Sequence, residues 1–253
     1  MTNVGRRFLV KAQNTLVNYL VIVGNLRSNS DDNLTRLGTA YGGWWIPKHV
    51  IDNREDSRFA LSIGIGYDVS FDKEILESGF QVLALDPIPE CVAFARKELA
   101  DFAGLYLENL GLATHSGQER FYAPKSALHD SWSSTNSQLT RFEESILFKV
   151  ISLADLLVKY QSKIRDSWTM LKMDIEGAES EVIPSLCDLE YSFNFVAIEM
   201  DFLSLIPFLN VRSRFNRIKE ARELLRKMDS RGYKLIKNEN FNYFWSMELK
   251  TDN

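Results

Sequence analysis

Cysteine is scarce in this chain, and its scarcity narrows the kinds of protein that the chain can be. The 253 residues include two cysteines, Cys91 and Cys187, which have neither CxxC spacing nor a histidine cluster beside them. A structural zinc site is therefore not expected. The scarcity of cysteine instead predicts a reducing, cytoplasmic compartment. No run reaches the roughly 18 consecutive apolar residues that a membrane-spanning helix needs. Internal repeats, low-complexity tracts and a linker that would split the chain are also missing.

A large excess of charge of one sign is missing too, since the formal net charge is -4. The charges are unevenly spread, because residues 211–237 carry a net +7 and the rest of the chain carries -11. An apolar stripe runs through this segment and consists of Phe215, Ile218, Ala221, Leu224, Leu225 and Met228. It indicates an amphipathic helix with a solvated basic face. A surface that faces an anionic substrate or a membrane is the alternative. Nucleic acid is not an expected partner of an acidic chain with one basic segment.

Residues 1–36 are predicted to form a helical extension that packs on a domain of residues 37–253. GRRFLVK near the start has the twin arginine of some export signals, but polar residues interrupt the apolar stretch and no small-residue cleavage site follows. The apolar residues recur instead at helical spacing. They are Phe8, Ala12, Leu16, Tyr19, Leu20 and Val23.

Strands alternate with helices along the rest of the chain, which predicts a mainly parallel sheet with helices on both faces. Ser152 and Asp155 have capping-box spacing, so a helix is expected to follow them. The terminal segment GYKLIKNENFNYFWSMEL predicts a hairpin that adds an antiparallel strand at one edge. Residues 114–142 are expected to be mostly a long polar loop, which in a compact domain indicates a binding role.

A glycine turn follows the first strand of this pattern, at Gly64 and Gly66 in LSIGIGYDVSFD. The next strand ends at Asp86, where an acid can accept hydrogen bonds from both hydroxyls of a ribose. These residues predict a cofactor that contains adenosine. Val69 stands where a dinucleotide fingerprint needs a third glycine, and Asp68 would repel a pyrophosphate. A sulfonium that also bears an ammonium group therefore fits the turn better than NAD.

Four carboxylates follow two neighbouring strands: Asp174 and Glu176 after one, Glu199 and Asp201 after the other. Acids two apart on an extended chain share a face. These four can anchor a cofactor's cation and orient a sugar-like acceptor, or two of them can hold Mg²⁺. No further acid or histidine spacing demands a metal, so no metal site is predicted. The structural alternative is that Glu176 or Glu179 caps the following helix.

His129, in the polar loop, is the candidate general base, because histidine titrates near neutral pH. Beside it, Trp132, Ser133 and Ser134 can line an acceptor pocket or form a surface turn. Lys172 belongs either to the site or to a pair with a neighbouring acid.

Three motifs in this order and spacing resemble the FkbM family of S-adenosylmethionine-dependent methyltransferases: LSIGIGYDVSFD, VLALDPIPECV and LKMDIEGAESEVI. LGTAYGGWWIP, upstream, is similar to the segment that precedes the glycine motif in some members. The resemblance covers roughly residues 37–249. It implies the class I methyltransferase (Rossmann-like) fold, an α/β fold with a seven-stranded, mainly parallel sheet, one antiparallel edge strand and helices on both faces.

The resemblance also implies roles for individual residues. The glycine turn would line the methionine part of the cofactor, with Asp68 near its ammonium group. Asp86 would hold the ribose hydroxyls, and residues 111–115 would lie by the adenine. Asp174 and Glu176 would face the methyl group and the acceptor. The full set expected to bind the cofactor is Gly64, Ile65, Gly66, Asp68, Asp86, Pro87 and Asp174. One departure from the family pattern is Tyr67, which separates the turn from Asp68.

The sequence thus predicts an S-adenosylmethionine-dependent methyltransferase that acts on a hydroxyl of a small molecule or sugar. The catalytic residues expected are Asp174, Glu176 and His129. Two alternatives stay open, a non-catalytic binding or scaffold subunit and an NAD(P)-dependent oxidoreductase.

Overall fold

The computed structural model describes residues 14–23, 33–52, 57–124, 132–134, 140–204, 206 and 209–247. Twelve strands are defined there: β1 (Leu34–Leu37), β2 (Trp44–Pro47), β3 (Arg58–Ile63), β4 (Gln81–Leu85), β5 (Leu105–Glu108), β6 (Gly111–Ala113), β7 (Gly117–Pro124), β8 (Thr140–Ser152), β9 (Trp168–Met173), β10 (Phe195–Glu199), β11 (Tyr233–Glu239) and β12 (Asn242–Met247). The helices are α1 (residues 14–22), α2 (Lys48–Asp52), α3 (Ser70–Glu77), α4 (Pro89–Glu98), α5 (Leu153–Lys159), α6 (Gln161–Ile164), α7 (Glu179–Asp188) and α8 (Val211–Ser230), with a 3₁₀ turn at Asp201–Leu203.

Seven of these strands form the central sheet, in the order β11-β12-β10-β9-β3-β4-β5. Strands β10, β9, β3, β4 and β5 pair in parallel, and β12 is antiparallel to both of its neighbours. The predicted fold class is confirmed: this is the class I methyltransferase sheet. Its antiparallel strand comes from the terminal hairpin and lies one position in from the edge strand β11.

The central strands are buried on both faces, which explains their continuous apolar sequences. Every residue of β3 is buried, and alternate side chains enter opposite cores. Phe59, Leu61 and Ile63 pack with residues of α1, α5, α7 and α8, whereas Ala60 packs with residues of α2, α3 and α4. Helices thus cover both faces of the sheet, as the sequence predicts.

A second sheet of three strands, in the order β6-β8-β7, stands beside the end of β5. Part of the range 114–142, predicted to be mostly loop, is strand, because β7 and the start of β8 lie in it. Residues 125–131 and 135–139 lie outside the described residues. The sheet buries a small cluster of Ala113, Phe121 and Val150. Most of β7 faces solvent, so its sequence contains few apolar residues and resembles a loop.

Helix α1 packs on the domain as predicted, but with another face than its apolar stripe indicates. Val17 and Val21 are buried in the main core, and the buried Asn18 accepts a hydrogen bond from the hydroxyl of Tyr243 at 2.9 Å. The predicted stripe residues Leu16, Tyr19, Leu20 and Val23 are exposed by 38–62%. The contact between Asn18 and Tyr243 thus selects a face that the apolar pattern does not show. Phe8 and Ala12 lie outside the described residues.

The basic segment forms the predicted amphipathic helix α8. Asn210 caps it by accepting a hydrogen bond from the Ser213 amide at 2.9 Å. The stripe is buried only in the second half of the helix, since Phe215 is 73% exposed. At α5 the predicted cap is confirmed, because the Ser152 hydroxyl accepts a hydrogen bond from the Asp155 amide. Among the described helices, none combines the length and the apolar character needed to span a membrane.

Candidate active site

The candidate site lies at the carboxyl ends of β4, β3, β9 and β10, which are neighbours in the sheet. The chain leaves β3 to form β4 on one side and returns to form β9 on the other. Ligands of open parallel sheets bind where the strand order reverses in this way. The predicted site residues follow these strand ends, so the topology brings them to one edge of the sheet.

The glycine turn after β3 packs directly on the end of β9. Gly64 has φ +77°, and a β-carbon there would lie 1.7 Å from the backbone oxygen of Asp174. Only glycine fits such an approach. Gly66 also has a positive φ, +59°, but a β-carbon there would meet no atom within 4 Å. Gly64 is thus required by packing, whereas Gly66 borders open space.

Asp86 fixes the conformation of the glycine turn. One carboxylate oxygen accepts hydrogen bonds from the amides of Ile65 (3.1 Å) and Gly66 (3.0 Å), and the other accepts one from the amide of Ile88 (2.8 Å). Burial raises the pKa of Asp86, although these amides oppose the shift. A carboxylate has about four acceptor sites, so Asp86 retains acceptor capacity beyond the backbone. Its contact with a ribose stays a prediction.

Asp68 is held by the loop between β1 and β2. Its carboxylate accepts hydrogen bonds from the Thr39 hydroxyl at 2.6 Å and from the Ser70 amide at 3.0 Å. Burial tends to raise the pKa of Asp68, but the hydrogen bonds from Ser70 and Thr39 outweigh it and lower the pKa. A β-carbon at Gly42 would come within 2.6 Å of this carboxylate, so the loop packs tightly on it. The sequence did not indicate this contact.

A cleft of about 680 Å³ has residues from the segments after β3 and β4, and from β7 and β8, in its lining. One wall consists of Tyr67, Ile88, Pro89 and Glu90, and the other of Pro124, Trp132, Ile146 and Phe148. Trp132 was expected near an acceptor, and it lines this cleft. Ser133 has another role, since its hydroxyl donates to the backbone oxygen of Glu176 at 2.5 Å. The side chains that β8 contributes were not anticipated, because no strand was predicted there.

Pro87, which follows Asp86, packs against the start of β6. A β-carbon at Gly111 would lie 3.4 Å from Pro87 and 3.1 Å from Phe121, so the first residue of β6 packs tightly here. The predicted adenine segment 111–115 therefore begins beside the predicted ribose acid. Whether either contacts a cofactor stays a prediction.

Carboxylates gather at the ends of β9 and β10. One oxygen from each of Asp174, Glu176 and Asp201 lies within 4.8 Å of the others. Burial, and then the charges of Asp174 and Glu176, raise the pKa of Glu199 to about 8. Burial also raises the pKa of Asp174, with Lys172 opposing, and holds the pKa of Asp201 well above its usual range. We call Asp174, Glu176, Glu199 and Asp201 the acidic group.

Tyr41 borders the acidic group from the β1–β2 loop, although 92% of this residue is exposed. Its pKa is raised, first by desolvation of the hydroxyl and then by the charges of Glu176, Asp174, Glu199 and Asp201. The sequence marked the surrounding LGTAYGGWWIP segment as similar to the family but assigned Tyr41 no role.

Glu179, Glu176 and Lys172 were the residues for which a purely structural role, a helix cap or an ion pair, was the alternative. Glu179 bonds the loop before α7, accepting from the amides of Ile175 (3.3 Å) and Gly177 (2.9 Å). Glu176 occupies the left-handed region with φ +56°, which is unusual for a residue with a side chain. The buried ammonium of Lys172 donates to the backbone oxygens of Ile63 (3.3 Å) and Gly64. It also lies 5.3 Å from the centre of the Trp44 ring.

Of the three histidines, the structure describes His49 and His115. His49, on α2, and His115, before β7, are both exposed. His129 lies outside the described residues, so its role as general base stays a prediction.

Comparison with known proteins gives one strong result and several faint ones. No curated protein matches the chain. A candidate caffeoyl-CoA O-methyltransferase from Staphylococcus aureus is 12% identical, with a TM-score of 0.40 over 75% of each chain. Fibrillarin, a pre-rRNA processing protein from Methanococcus jannaschii, is 9% identical, with a TM-score of 0.40 over 89% of this chain and 87% of its own. Precorrin-6y C5,15-methyltransferase from Geobacter metallireducens GS-15 is 11% identical, with a TM-score of 0.34 over 78% of this chain and 82% of its own. Likenesses this low carry no argument.

The strong result comes from the family comparison. Residues 61–235 match the methyltransferase FkbM domain, and this range begins inside β3 and ends inside β11. It contains the glycine turn, Asp86 and the acidic group, and it is more than half of the chain. The chain belongs to the FkbM methyltransferase family.

Proposed function

We propose that this protein transfers a methyl group from S-adenosylmethionine to a hydroxyl of a small molecule or sugar. The observation that carries the proposal is the glycine turn, whose amides are held by Asp86 while Gly66 faces open space beside the cleft. This arrangement lies where the strand order reverses, the usual ligand position in such sheets.

The residues present fit the cofactor. The backbone of Gly64, Ile65 and Gly66 would line its methionine part, and the remaining acceptor sites of Asp86 would bind the ribose hydroxyls. Pro87 would support the nucleoside from below. The ionised Asp68 would supply negative charge for the ammonium group, and its low pKa supports this.

When bound, the cofactor supplies a methyl group on a positively charged sulfur. The acceptor oxygen would attack the methyl carbon in line with the sulfur, which is displaced. Alignment of the two reactants supplies much of the rate of such a transfer. Asp174 and Glu176 would orient the acceptor hydroxyl through hydrogen bonds. A carboxylate of the acidic group would accept its proton on the way to water. Glu199 suits this role, because burial and the charges of Asp174 and Glu176 raise its pKa to about 8.

The same proposal covers the partners and the compartment. Carboxylates that accept hydrogen bonds suit a polyhydroxylated small molecule rather than a nucleic acid, whose phosphates they would repel. Both cysteines are free and buried, which supports a reducing cytoplasmic compartment. No observation favours the scaffold alternative. The oxidoreductase alternative still lacks its third glycine, since the buried Val69 occupies that position.

The experiment that tests cofactor binding measures melting temperature with S-adenosylhomocysteine, the product form, and with NAD⁺. We expect stabilisation by S-adenosylhomocysteine alone, because only the sulfur cofactor fits a turn without the third glycine. Stabilisation by NAD⁺ alone would overturn the proposal.

A matched pair of variants locates the binding site. Gly66→Ala and Gly117→Ala each place a β-carbon at a positive φ, with no atom closer than 3.9 Å. Both variants should lose similar stability, about 1–2 kcal/mol for the left-handed backbone. Only Gly66→Ala should lose S-adenosylhomocysteine binding in calorimetry. Equal binding by the two variants would place the cofactor elsewhere.

Turnover can be followed by release of S-adenosylhomocysteine with a panel of sugars, phenols and aliphatic alcohols. Asp174→Asn should remain folded, bind S-adenosylhomocysteine and lose at least about 100-fold in turnover, in the range of general-base and positioning effects. Full turnover by this variant would remove Asp174 from the catalytic residues.

A further inference from the structure

Three carboxylates of the acidic group converge more closely than hydrogen bonding to an acceptor requires. Oxygens of Asp174, Glu176 and Asp201 lie within 4.8 Å of one another, and they come from the ends of two adjacent strands. In the part of the chain that the structure describes, no other three histidine, cysteine or acidic side chains converge in this way.

The 4.8 Å limit on these separations is compatible with three oxygens around one small cation. Metal–oxygen distances of about 2.1 Å for Mg²⁺ and about 2.4 Å for Ca²⁺ place ligand oxygens roughly 3 to 4.8 Å apart, depending on whether they are cis or trans. Three protein carboxylates on one side of an ion leave its other positions open for water or a substrate oxygen.

Glu179 is a second observation that favours a cation at this edge. It is fully buried, with 0% exposure, and its Oε2 has no hydrogen-bond partner. Its Oε1 accepts from the amides on either side of Glu176, so the carboxylate lies directly behind two of the converging residues. Its charge also acts on Asp201, the third of them. Burial, and then the charges of Asp174 and Glu176, raise the pKa of Glu179 to about 8. Its charged form is therefore unfavourable here unless a positive charge lies nearby.

The nearby Lys172 compensates the negative charge of this edge only in part, since its charge lowers the pKa of Asp174 but does not outweigh burial. The Lys172 ammonium donates to the backbone oxygens of Ile63 and Gly64, and so holds the glycine turn. Among the ion pairs of the described residues, none contains Asp174, Glu179 or Asp201. The negative charge at this edge therefore exceeds the positive charge that the described residues place there.

We propose that Asp174, Glu176 and Asp201 bind one divalent cation of the oxygen-preferring class, Mg²⁺ or Mn²⁺, with the acceptor's hydroxyl oxygen as a further ligand. The second half of this statement rests on the proposed function, whereas the cation site itself does not. Sequence spacing did not demand a metal, because Asp201 lies on a different strand from Asp174 and Glu176 and only the fold brings it to them.

The cation would activate the acceptor hydroxyl. A hydroxyl bound to a divalent ion loses its proton more readily. That proton leaves to bulk water at this edge of the sheet. The resulting oxygen forms the new O–CH₃ bond as the S–CH₃ bond breaks, and S-adenosylhomocysteine leaves as the neutral thioether.

The test titrates Mn²⁺ alone into the full chain after removal of metals with EDTA, with no cofactor or acceptor present. Free Mn²⁺ is measured by electron paramagnetic resonance. We expect one Mn²⁺ per chain, and at least about 10-fold weaker binding by Asp201→Asn and by Glu176→Gln. Glu119→Gln, which removes a half-buried acid of β7 outside the acidic group, is the matched control and should bind as the wild type does. Circular dichroism checks that each variant is folded.

The outcomes separate the two proposals. No stoichiometric Mn²⁺ binding, or equal binding by wild type, Asp201→Asn and Glu176→Gln, overturns the cation site. S-adenosylhomocysteine binding in EDTA is measured on the same sample. If it occurs without Mn²⁺ binding, the methyltransferase proposal stands and the cation site falls. If Mn²⁺ binds to the three carboxylates but S-adenosylhomocysteine does not bind, the cation site stands and the proposed cofactor falls.

Discussion

At the scale of single residues, Gly64 tolerates the least change. A methyl group there would overlap the backbone oxygen of Asp174, at 1.7 Å, and neither partner is a side chain that can rotate away. We expect Gly64→Ala to lower the free energy of unfolding by about 3 kcal/mol or more, from the overlap and the left-handed backbone together. Urea denaturation measures this, and Gly117→Ala, which has no overlap, should lose only the backbone part. Similar losses in both variants would contradict the geometry.

Asp72 makes stability depend on pH. It is 2% exposed, its Oδ1 has no partner, and burial raises its pKa although Lys172 opposes the shift. The folded chain therefore holds this proton at pH values where the unfolded chain, with a pKa of about 3.9, has lost it. Stability contributed by this proton falls as the pH rises from about 4 toward the raised pKa of the folded state.

Replacing Asp72 by Asn should remove this loss, so the variant should gain stability over wild type at pH 7 and gain little at pH 4. Asp68→Asn should do the reverse, since hydrogen bonds lower the pKa of Asp68 and its contribution is present at neutral pH. Urea denaturation at the two pH values compares the variants. If the stability gained by Asp72→Asn does not increase with pH, the carboxyl of Asp72 is not the source of the pH dependence.

At the scale of elements, α8 depends on a single cap at its start. The Asn210 side chain satisfies the Ser213 amide at 2.9 Å, and α8 has no acidic residue in its first turn to assist. Asn210→Ala should cost about 1 kcal/mol of stability, and Asn210→Asp, which keeps the acceptor, should cost much less. Urea denaturation measures both. Equal free energies of unfolding for Asn210→Ala and Asn210→Asp would mean that the cap does not stabilise the helix.

The elements also show how far local sequence patterns reach. Strands β3, β4, β9 and β10 are buried on both faces, so their apolar runs are unambiguous and were predicted. Strand β7 has one solvated face and resembles a loop in sequence. In α1, the apolar stripe indicates the wrong face, because a hydrogen bond from Tyr243, 225 positions away, orients the helix. Such long-range polar contacts leave no periodic signal.

The candidate site shows the same division. Gly64, Asp86 and Asp174 follow strand ends in recognisable motifs, so the sequence indicated them. The contact between Thr39 and Asp68, the position of Tyr41 and the free oxygen of Glu179 depend on how separate segments pack. No spacing along the chain indicates them.

At the scale of the whole molecule, the first described helix and the last strand are joined by the hydrogen bond between Asn18 and Tyr243. Both residues lie outside the range that matches the family model. Asn18→Ala would leave the buried Tyr243 hydroxyl without this partner and should cost about 1–3 kcal/mol. In the double variant with Tyr243→Phe the loss should be smaller than the sum of the two single losses, measured by a double-mutant cycle. Strict additivity would show that the two residues do not interact.

This contact bears on the predicted boundary at residue 36, which stays a prediction. Val17 and Val21 share the main core with β3 and β9. A helix attached in this way should melt together with the domain rather than before it.

The two hydrogen bonds that Asp86 accepts from the amides of Ile65 and Gly66 also have a kinetic consequence. They hold the glycine turn in one conformation before any ligand arrives, so folding, rather than binding, orders the turn. A preorganised turn gives up little conformational freedom on association. Cofactor capture should then be a single exponential process whose rate rises linearly with concentration, without the plateau that a slow loop closure would impose.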